Sequence, residues 1–354
     1  MKNRSGIISL SLPFAAGVTA AALAAEPFAG ALACSVAVAV SFVLCFAAKG
    51  SSDIPLRLLF FFMGALCWCN CTLCPPPPVP KLQYGESLGA LLDRIPFDGD
   101  HSGAIIKALL TGQRGSLPRS TVRAFRESGA SHILALSGLH LGVIYGCMKR
   151  LFAAAGNSSA ARWIRSSLII VLCGTYAMAT GASPSIVRAF LFICINEAGR
   201  AMSGRRNSPL GTFCLALTVQ LAIRPSLISS AGFQLSYLAM LGITLLYPRL
   251  EAWYPESPRR DPLRAIWKSV ALSVSCQLFT APAAWYHFHS FPLFFLITNL
   301  IALPLAESAI ITAVAAAVLE AICGCPPQLA MACGKLVRLL EFCLETIASL
   351  SPSS

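Results

Sequence analysis

Residues 131–142 read SHILALSGLHLG, a stretch in which serine, glycine and histidine interrupt the start of an otherwise apolar helix. A hydrophobic run long enough to cross a bilayer carries such residues at a cost, so they indicate a functional constraint. Gly138 and Gly142 are four residues apart and share a helix face on which another backbone can approach closely. Ser137 and His140 share the neighbouring face. The stretch predicts either close helix packing or a polar passage beside it.

The composition of the whole chain is that of a membrane protein. Its 354 residues are 56% hydrophobic and only 12% charged, too little polar surface to cover a soluble globule of this size. A spanning helix needs about 20 mostly apolar residues. We therefore predict an all-α, polytopic integral membrane protein with roughly ten transmembrane helices and short interfacial amphipathic helices. The predicted spans lie near residues 7–25, 29–48, 56–74, 133–152, 163–182, 184–203, 208–223, 226–247, 266–287 and 291–319.

The chain divides into four predicted parts. A three-helix membrane unit covers 1–74, a short hydrophilic segment with a basic helix covers 75–130, and the main membrane domain covers 131–320. The first part ends before a proline run at 75–78, because proline cannot continue a helix. The remaining tail, 321–354, mixes apolar and charged residues at helical spacing, so we expect an amphipathic helix at the membrane interface.

The net charge of +12 is only partly explained by membrane topology. With the N-terminus in the cytoplasm, most basic residues fall in cytoplasmic loops, as the positive-inside rule requires. The segment 75–130 would then lie outside, yet its helix PRSTVRAFRESG places Arg119, Arg123 and Arg126 on one stripe. The stripe is either a solvated face or a basic ridge that gathers phosphates, to which Arg114 of the same segment would contribute.

Polar side chains recur inside the predicted spans of the main domain. Pro184 suits a helix start and places Arg188 one turn inside the helix. Its guanidinium either reaches the interface or faces a water-filled passage, where it would hold phosphates in turn. Gln234, Gln277 and Asn299 lie at or near mid-span, where amides usually bond across helices. Three such amides in three helices also fit a shared polar interior.

Signatures of catalysis and of metal binding are missing from the sequence. It contains no phosphate-binding P-loop, no HExxH pair, no GxSxG motif and no carboxylate pair in an accessible position. Near the end of the third span, Cys67, Cys71 and Cys74 share a helix face and Cys69 does not, which leaves a metal one ligand short. We therefore expect no enzymatic activity, no metal and no cofactor.

Several motifs, taken together, resemble one known family. The run ALLTGQRGSLPRSTVRAFRESGASHILALSGLHLGVIYG at 108–146 is similar to the opening signature of the competence domain in ComEC-type DNA-uptake channels. Three further blocks follow in the same order and spacing: GASPSIVRAF at 181–190, SSAGFQLSYLAMLGI at 229–243, and the stretch from QLFTAPAAWYHF to NLIALPLAE at 277–307. The resemblance covers about 105–320.

This resemblance implies a multi-pass channel of the bacterial inner membrane that passes one strand of transforming DNA into the cytoplasm. The implied partners are single-stranded DNA, an external DNA receptor, a cytoplasmic ATP-driven motor and the lipid bilayer. Full-length relatives commonly add an OB-like domain and a metallo-β-lactamase-like nuclease domain, for which this sequence has no room, so we expect a separate nuclease. By motif position, the residues expected along the passage are Ser137, Gly138, His140, Arg188, Gln234, Gln277 and Asn299.

Two other functions stay open at this level. A transporter for a small anion would use the same basic segment and the same deep polar residues. A truncated remnant of a competence protein, without transport activity, would keep the motifs only for packing. Uptake of labelled DNA by a strain that lacks the gene separates the channel from both.

Overall fold

Helices form all the regular secondary structure that the computed structural model describes, as the all-α prediction requires. The described residues are 5–24, 27–47, 53–75, 84–97, 101–134, 138–152, 158–203, 207–255, 261–289 and 294–350. The helices are α1 (Ser5–Leu23), α2 (Pro27–Ala47), α3 (Ile54–Leu73), α4 (Tyr84–Leu92), α5 (Ser102–Thr111), α6 (Arg119–Glu127), α7 (Ser131–Leu134), α8 (Gly138–Leu151), α9 (Ser159–Ala179), α10 (Pro184–Ser203), α11 (Pro209–Ile223), α12 (Ala231–Leu245), α13 (Tyr247–Glu251), α14 (Pro262–Phe288), α15 (Phe295–Ile322) and α16 (Pro327–Ser349). A 3-10 turn at Pro225–Ser229 joins α11 to α12.

The chain folds into two compact units, each made from two separate stretches of sequence. Unit 1 comprises residues 1–80 and 191–237, and unit 2 comprises residues 81–190 and 238–354. The boundaries fall inside α10 and α12, so the units do not follow the four predicted parts, whose boundaries stay a prediction. Unit 2 carries most of the motif residues.

Unit 1 is built on a close crossing of α1 and α3. A Cβ atom on Gly17 would collide with the backbone carbonyl of Phe61, and one on Gly64 would collide with that of Phe14. Glycine at both positions lets the two helix backbones touch, which is a common way for helices to pack in membranes. The second stretch of the unit adds α11, which packs against α1.

Four of the described helices are long and apolar enough to cross a membrane: α1, α2, α3 and α15. They agree with an all-α membrane protein. The helices α9, α10 and α14 lie close to predicted spans but also carry charged residues. The number of ten spans therefore stays a prediction.

The core of unit 2 contains a helix that the hydropathy of the sequence conceals. α5 lies in the segment expected to be hydrophilic, yet Ile105, Ile106 and Leu109 are buried in it. They belong to one apolar cluster with α15 and α16. The charged residues on both sides of α5 hide it, since a hydropathy window averages over all of them.

The C-terminal helix α16 forms as expected and buries an apolar stripe. Val337, Leu340 and Leu344 return to one face at helical spacing and are fully buried. This face packs against α15, α5 and α6 within unit 2. Thr121 of α6 donates a hydrogen bond of 2.7 Å to the carboxylate of Glu341. The stripe is thus occupied by protein, and the position of α16 relative to the bilayer stays a prediction.

The opening segment is helical in the described residues on both sides of 135–137. α7 ends at Leu134 and α8 begins at Gly138. Residues 135–137, which include the predicted passage residue Ser137, lie outside the described residues. α8 packs against α9 and α15, so the segment enters directly into the body of unit 2.

Candidate functional site

Two of the predicted passage residues meet where α8 begins. A Cβ atom on Gly138 would lie 3.2 Å from the Cβ atom of Ala189 and 3.4 Å from Nη2 of Arg188. These distances are tight, so glycine at this position allows the first turns of α8 and α10 to pack together. The motif blocks at 131–142 and 181–190, separated in sequence, form one contact in the structure.

The Arg188 guanidinium is held inside the protein. Arg188 lies one turn inside α10, which begins at Pro184 as the sequence predicts, and only 7% of the residue is exposed. Burial to this degree disfavours the interpretation in which the side chain reaches out to the membrane interface, because a snorkelling head group stays in water. Arginine remains charged in proteins, so the start of α10 holds a fixed positive charge beside Gly138.

The other residues of the opening segment have contrasting environments. His140 is completely buried, with 0% exposed, which fits both the packing and the passage interpretation. Gly142 is exposed, and no described atom lies within 4 Å of the position that its Cβ would take. Close packing is therefore observed at Gly138, whereas no described residue packs against Gly142, whose role stays a prediction. The two share a helix face, but α10 contacts it only at the first turn.

The three predicted amides are held differently. Gln234 donates a hydrogen bond of 2.8 Å from Nε2 to the carbonyl oxygen of Ile228, which fixes the 3-10 turn before α12. Asn299 lies in the first turns of α15, and its Oδ1 is buried with no hydrogen-bond partner among the described residues. Gln277 is half-buried on α14. Gln234 belongs to unit 1 and the other two to unit 2, so a shared polar interior stays a prediction.

The basic stripe of α6 is exposed along its length. Arg119, Arg123 and Arg126 face outward, while Phe125 on the opposite side is buried. Nε of Arg123 lies 2.6 Å from the carboxylate of Glu127, one turn later. Arg119 and Arg126 form no ion pair with any described residue. These two arginines are the part of the stripe most available to an external anion.

Arg114, predicted together with the stripe, makes a specific internal bond. Its Nη2 donates a hydrogen bond of 2.8 Å to the carbonyl oxygen of Leu134, the last residue of α7. Arg114 therefore ties the loop before α6 to the opening segment. Sequence reasoning missed this role because no local pattern links two residues 20 positions apart.

The cysteine cluster on α3 is arranged as its spacing predicts. Cys69 is buried and faces α2, where a Cβ atom on Gly30 would lie 3.3 Å from its Sγ. Cys74 is exposed at the end of the helix. Within the described ranges, no group of three or more His, Cys, Asp or Glu side chains is placed to hold a metal ion.

A cavity of about 350 Å³ lies between α4 and α5, lined in part by Leu92, Phe97 and Lys107. The ammonium group of Lys107 lies 2.7 Å from the carboxylate of Asp93. Because this cation is already paired with a carboxylate, the cavity is a poor binding site for a small anion. It gives no support to the transporter alternative.

Comparison with known proteins assigns this arrangement to a family. A family model described as "Competence protein" matches residues 109–354. The chain belongs to the competence protein family. The matched range includes α16, in agreement with the packing of its apolar stripe on α5, α6 and α15. The competence region of this chain thus extends beyond 320, where the motif resemblance ends.

Two curated relatives of this competence-family chain have recognisable similarity. ComE operon protein 3 of Bacillus subtilis (strain 168) is 28% identical over 218 residues, which cover 62% of this chain and 26% of that protein. Uncharacterized protein YcaI of Escherichia coli (strain K12) is 27% identical over 251 residues, which cover 69% of this chain and 31% of that protein. The chain therefore spans less than a third of the length of either relative. No solved structure matches the chain.

Proposed function

We propose that this competence-family chain forms a membrane channel through which single-stranded DNA enters the cytoplasm during natural transformation. The observation that carries the proposal is the buried Arg188, packed against Gly138 where two competence motifs meet. A polyanion crosses a region of low dielectric only where cationic or polar groups replace the water around its phosphates. A guanidinium can do so through two parallel hydrogen bonds to one phosphate.

The exposed arginines of α6 supply an earlier step in the proposed path. Arg119 and Arg126 are open to solvent on the same unit as the contact between Gly138 and Arg188. Cations that neutralise phosphates release condensed counterions, so this attraction weakens steeply as salt is raised. The stripe would gather the strand, and the buried charge would act on it one phosphate at a time.

The proposed location is the bacterial inner membrane, with the N-terminus in the cytoplasm and the segment 75–130 outside. An external receptor would deliver DNA to the basic stripe. A cytoplasmic ATP-driven motor, which the resemblance to competence channels implies, would supply the work of transport. A separate nuclease would remove the other strand. The channel itself would act without catalysis.

Uptake of labelled DNA by a deletion strain tests this function. Labelled duplex is supplied to the wild type, the deletion strain and the complemented strain, and both protected intracellular single strands and transformants are counted. We expect both to be lost on deletion and restored by the gene. Electroporation of the same DNA is the control that recombination is intact. Unchanged uptake in the deletion strain would overturn the proposal, and a defect in anion uptake alone would identify the transporter.

A further inference from the structure

The last turn of α14 carries an exposed aromatic run, WYHFH at 285–289. Trp285 is 58% exposed, Tyr286 76% and Phe288 57%. Large aromatic rings concentrated within one turn and left uncovered mark a surface that meets either the bilayer or a partner. The proposed path through Gly138 and Arg188 does not account for them.

The three exposed rings lie on one side of the helix. At about 100° per residue, positions 285, 286 and 288 span an arc of about 160°. His287 between them is half-buried, and its ring lies edge-on to that of Tyr286 at 5.1 Å between centroids. His289 ends the helix at a φ of 50°, and its N–H donates to the carbonyl oxygen of Trp285. The helix tip is therefore a fixed surface that displays the rings.

The helix that follows this tip in the chain connects it to the segment after α6. α15 begins at Phe295, shortly after α14 ends at Phe288, and the two helices contact each other. In the first turn of α15, Thr298 Oγ1 donates a hydrogen bond of 2.7 Å to the carbonyl oxygen of Ser128. Both residues are 0% exposed. Arg126 stands two residues before Ser128, so this bond places the end of the stripe beside the start of α15, which follows the aromatic tip closely in the chain.

We propose that Trp285, Tyr286 and Phe288 form a stacking platform for the bases of single-stranded nucleic acid, beside the arginines of α6 that hold its phosphates. The inference rests on the proposed function and adds where the strand is first held. Proteins that bind single strands combine cations along the backbone with aromatic rings on which successive bases stack, whatever the sequence. The neighbouring arginine stripe favours this partner over lipid, which exposed aromatic rings at a helix end also suit.

Oligonucleotide binding by the full-length protein in lipid nanodiscs tests the platform. The probes are a labelled oligothymidylate and an abasic strand of equal length and charge, so their difference measures stacking alone. We expect the wild type to prefer oligothymidylate by about five- to thirtyfold. The double variant Trp285→Ala, Tyr286→Ala should lose this preference and keep its affinity for the abasic strand. Arg119→Ala with Arg126→Ala should weaken the binding of both probes.

Trp253 provides the matched control. It is 73% exposed and follows α13, which packs at the other end of α14 through a hydrogen bond from Trp267 to Leu250. Trp253→Ala should retain the preference for oligothymidylate. Equal binding of the two probes by the wild type would overturn the platform. So would Trp285→Ala, Tyr286→Ala binding both probes as the wild type does while inserting less well into membranes, the result expected of a lipid anchor.

The outcome for the platform is distinguishable from the outcome for the channel. If the deletion strain loses DNA uptake while the purified protein shows no stacking preference, the platform is refuted and the channel proposal stands. If the deletion strain takes up DNA normally, the channel proposal falls irrespective of oligonucleotide binding in nanodiscs.

Discussion

The carbonyl oxygen of Ser275 in α14 occupies the space that a Cβ atom on Gly242 of α12 would need. Ser275 is completely buried at this crossing, so the two backbones meet without any intervening side chain. Gly242→Ala should therefore destabilise the protein by about 1–3 kcal/mol, because the obstacle is backbone and cannot rotate away. Thermal unfolding of the solubilised protein measures the effect.

Gly232→Ala, in the same helix, is the control for this crossing. No described atom lies within 4 Å of the position of its Cβ, so the substitution should leave the unfolding temperature unchanged or slightly raised. Equal unfolding temperatures for the variants at 232 and 242 would show that the two helices do not touch at Ser275.

Substitution at Arg188 separates a passage residue from a packing residue. Arg188→Ala should lower DNA uptake by about tenfold or more, the value of a charge-assisted hydrogen bond. Arg188→Lys should restore part of the activity, since lysine keeps the charge and loses the two-pronged geometry. Arg249→Ala removes the same charge from an exposed position on α13 and should have no effect. Normal uptake by Arg188→Ala, at a normal level in the membrane, would return this residue to a structural role.

The glycines of the opening segment should respond in opposite ways to the same change. Gly138→Leu would force the Arg188 guanidinium and Ala189 to move, since even a Cβ atom would stand 3.2 to 3.4 Å from them. Gly142→Leu adds the same side chain to an exposed position with open space around it. Transformation frequency, corrected for protein level, should fall for the first variant and not for the second. A larger defect at Gly142 would mean that its exposed face meets a partner outside the chain.

Alanine substitutions at Arg114 and Arg119 should have different effects, although the sequence places both arginines in the same basic segment. Arg114→Ala removes the hydrogen bond to the Leu134 carbonyl and should cost about 1 kcal/mol of stability. Arg119→Ala, at an exposed position, should leave the unfolding temperature unchanged and reduce the salt-dependent binding of an oligonucleotide. Unfolding and binding measured on both variants give the comparison. If both lose only binding, Arg114 belongs functionally to the stripe.

The helix cap at the start of α14 should make the stability of the protein depend on pH in the acid range. The hydroxyl of Tyr254 donates to Asp261 and lowers the pKa of that carboxyl, which also accepts the N–H of Leu263 as a helix cap. A carboxyl with a lowered folded pKa stabilises the protein above its unfolded pKa, and this contribution is lost as pH falls through the folded pKa. Tyr254→Phe should raise the pKa of Asp261 toward its unfolded value and so reduce the amount of stability that is lost on acidification.

Unfolding temperatures measured from neutral pH down to about pH 3 test this shift. Tyr286→Phe, which changes an exposed tyrosine at the other end of the same helix, should follow the wild-type curve. Identical pH profiles for the wild type and Tyr254→Phe would show that the Tyr254 hydroxyl does not lower the pKa of Asp261.

Local sequence signals predicted the parts of this fold that depend on neighbours in the chain. α10 begins at Pro184 as expected, because proline at a first helical position lacks only an N–H that would have no partner. The arginines of α6 share an exposed face because their spacing is set by the helix alone. These features need no knowledge of the rest of the molecule.

What the sequence could not predict depends on partners far away in the chain. The burial of α5 follows from its packing on α15 and α16, and the role of Arg114 follows from the position of Leu134. Gly142 and Gly138 are the same residue type on the same helix face, and only the path of α10 decides that Gly138 is the one in contact with it. Hydropathy and spacing contain no information about which helix passes where.

The hydrogen bond between Thr121 and Glu341 joins residues 220 positions apart, and it has a consequence for the order of events during synthesis. Contacts of such long range form late, because the intervening loop must close first. The apolar faces of α5 and α6 lack their partner until α16 has left the ribosome. The competence region of this chain therefore completes its core only once α16 has been made, and until then it exposes surfaces that a chaperone or the translocation machinery must shield.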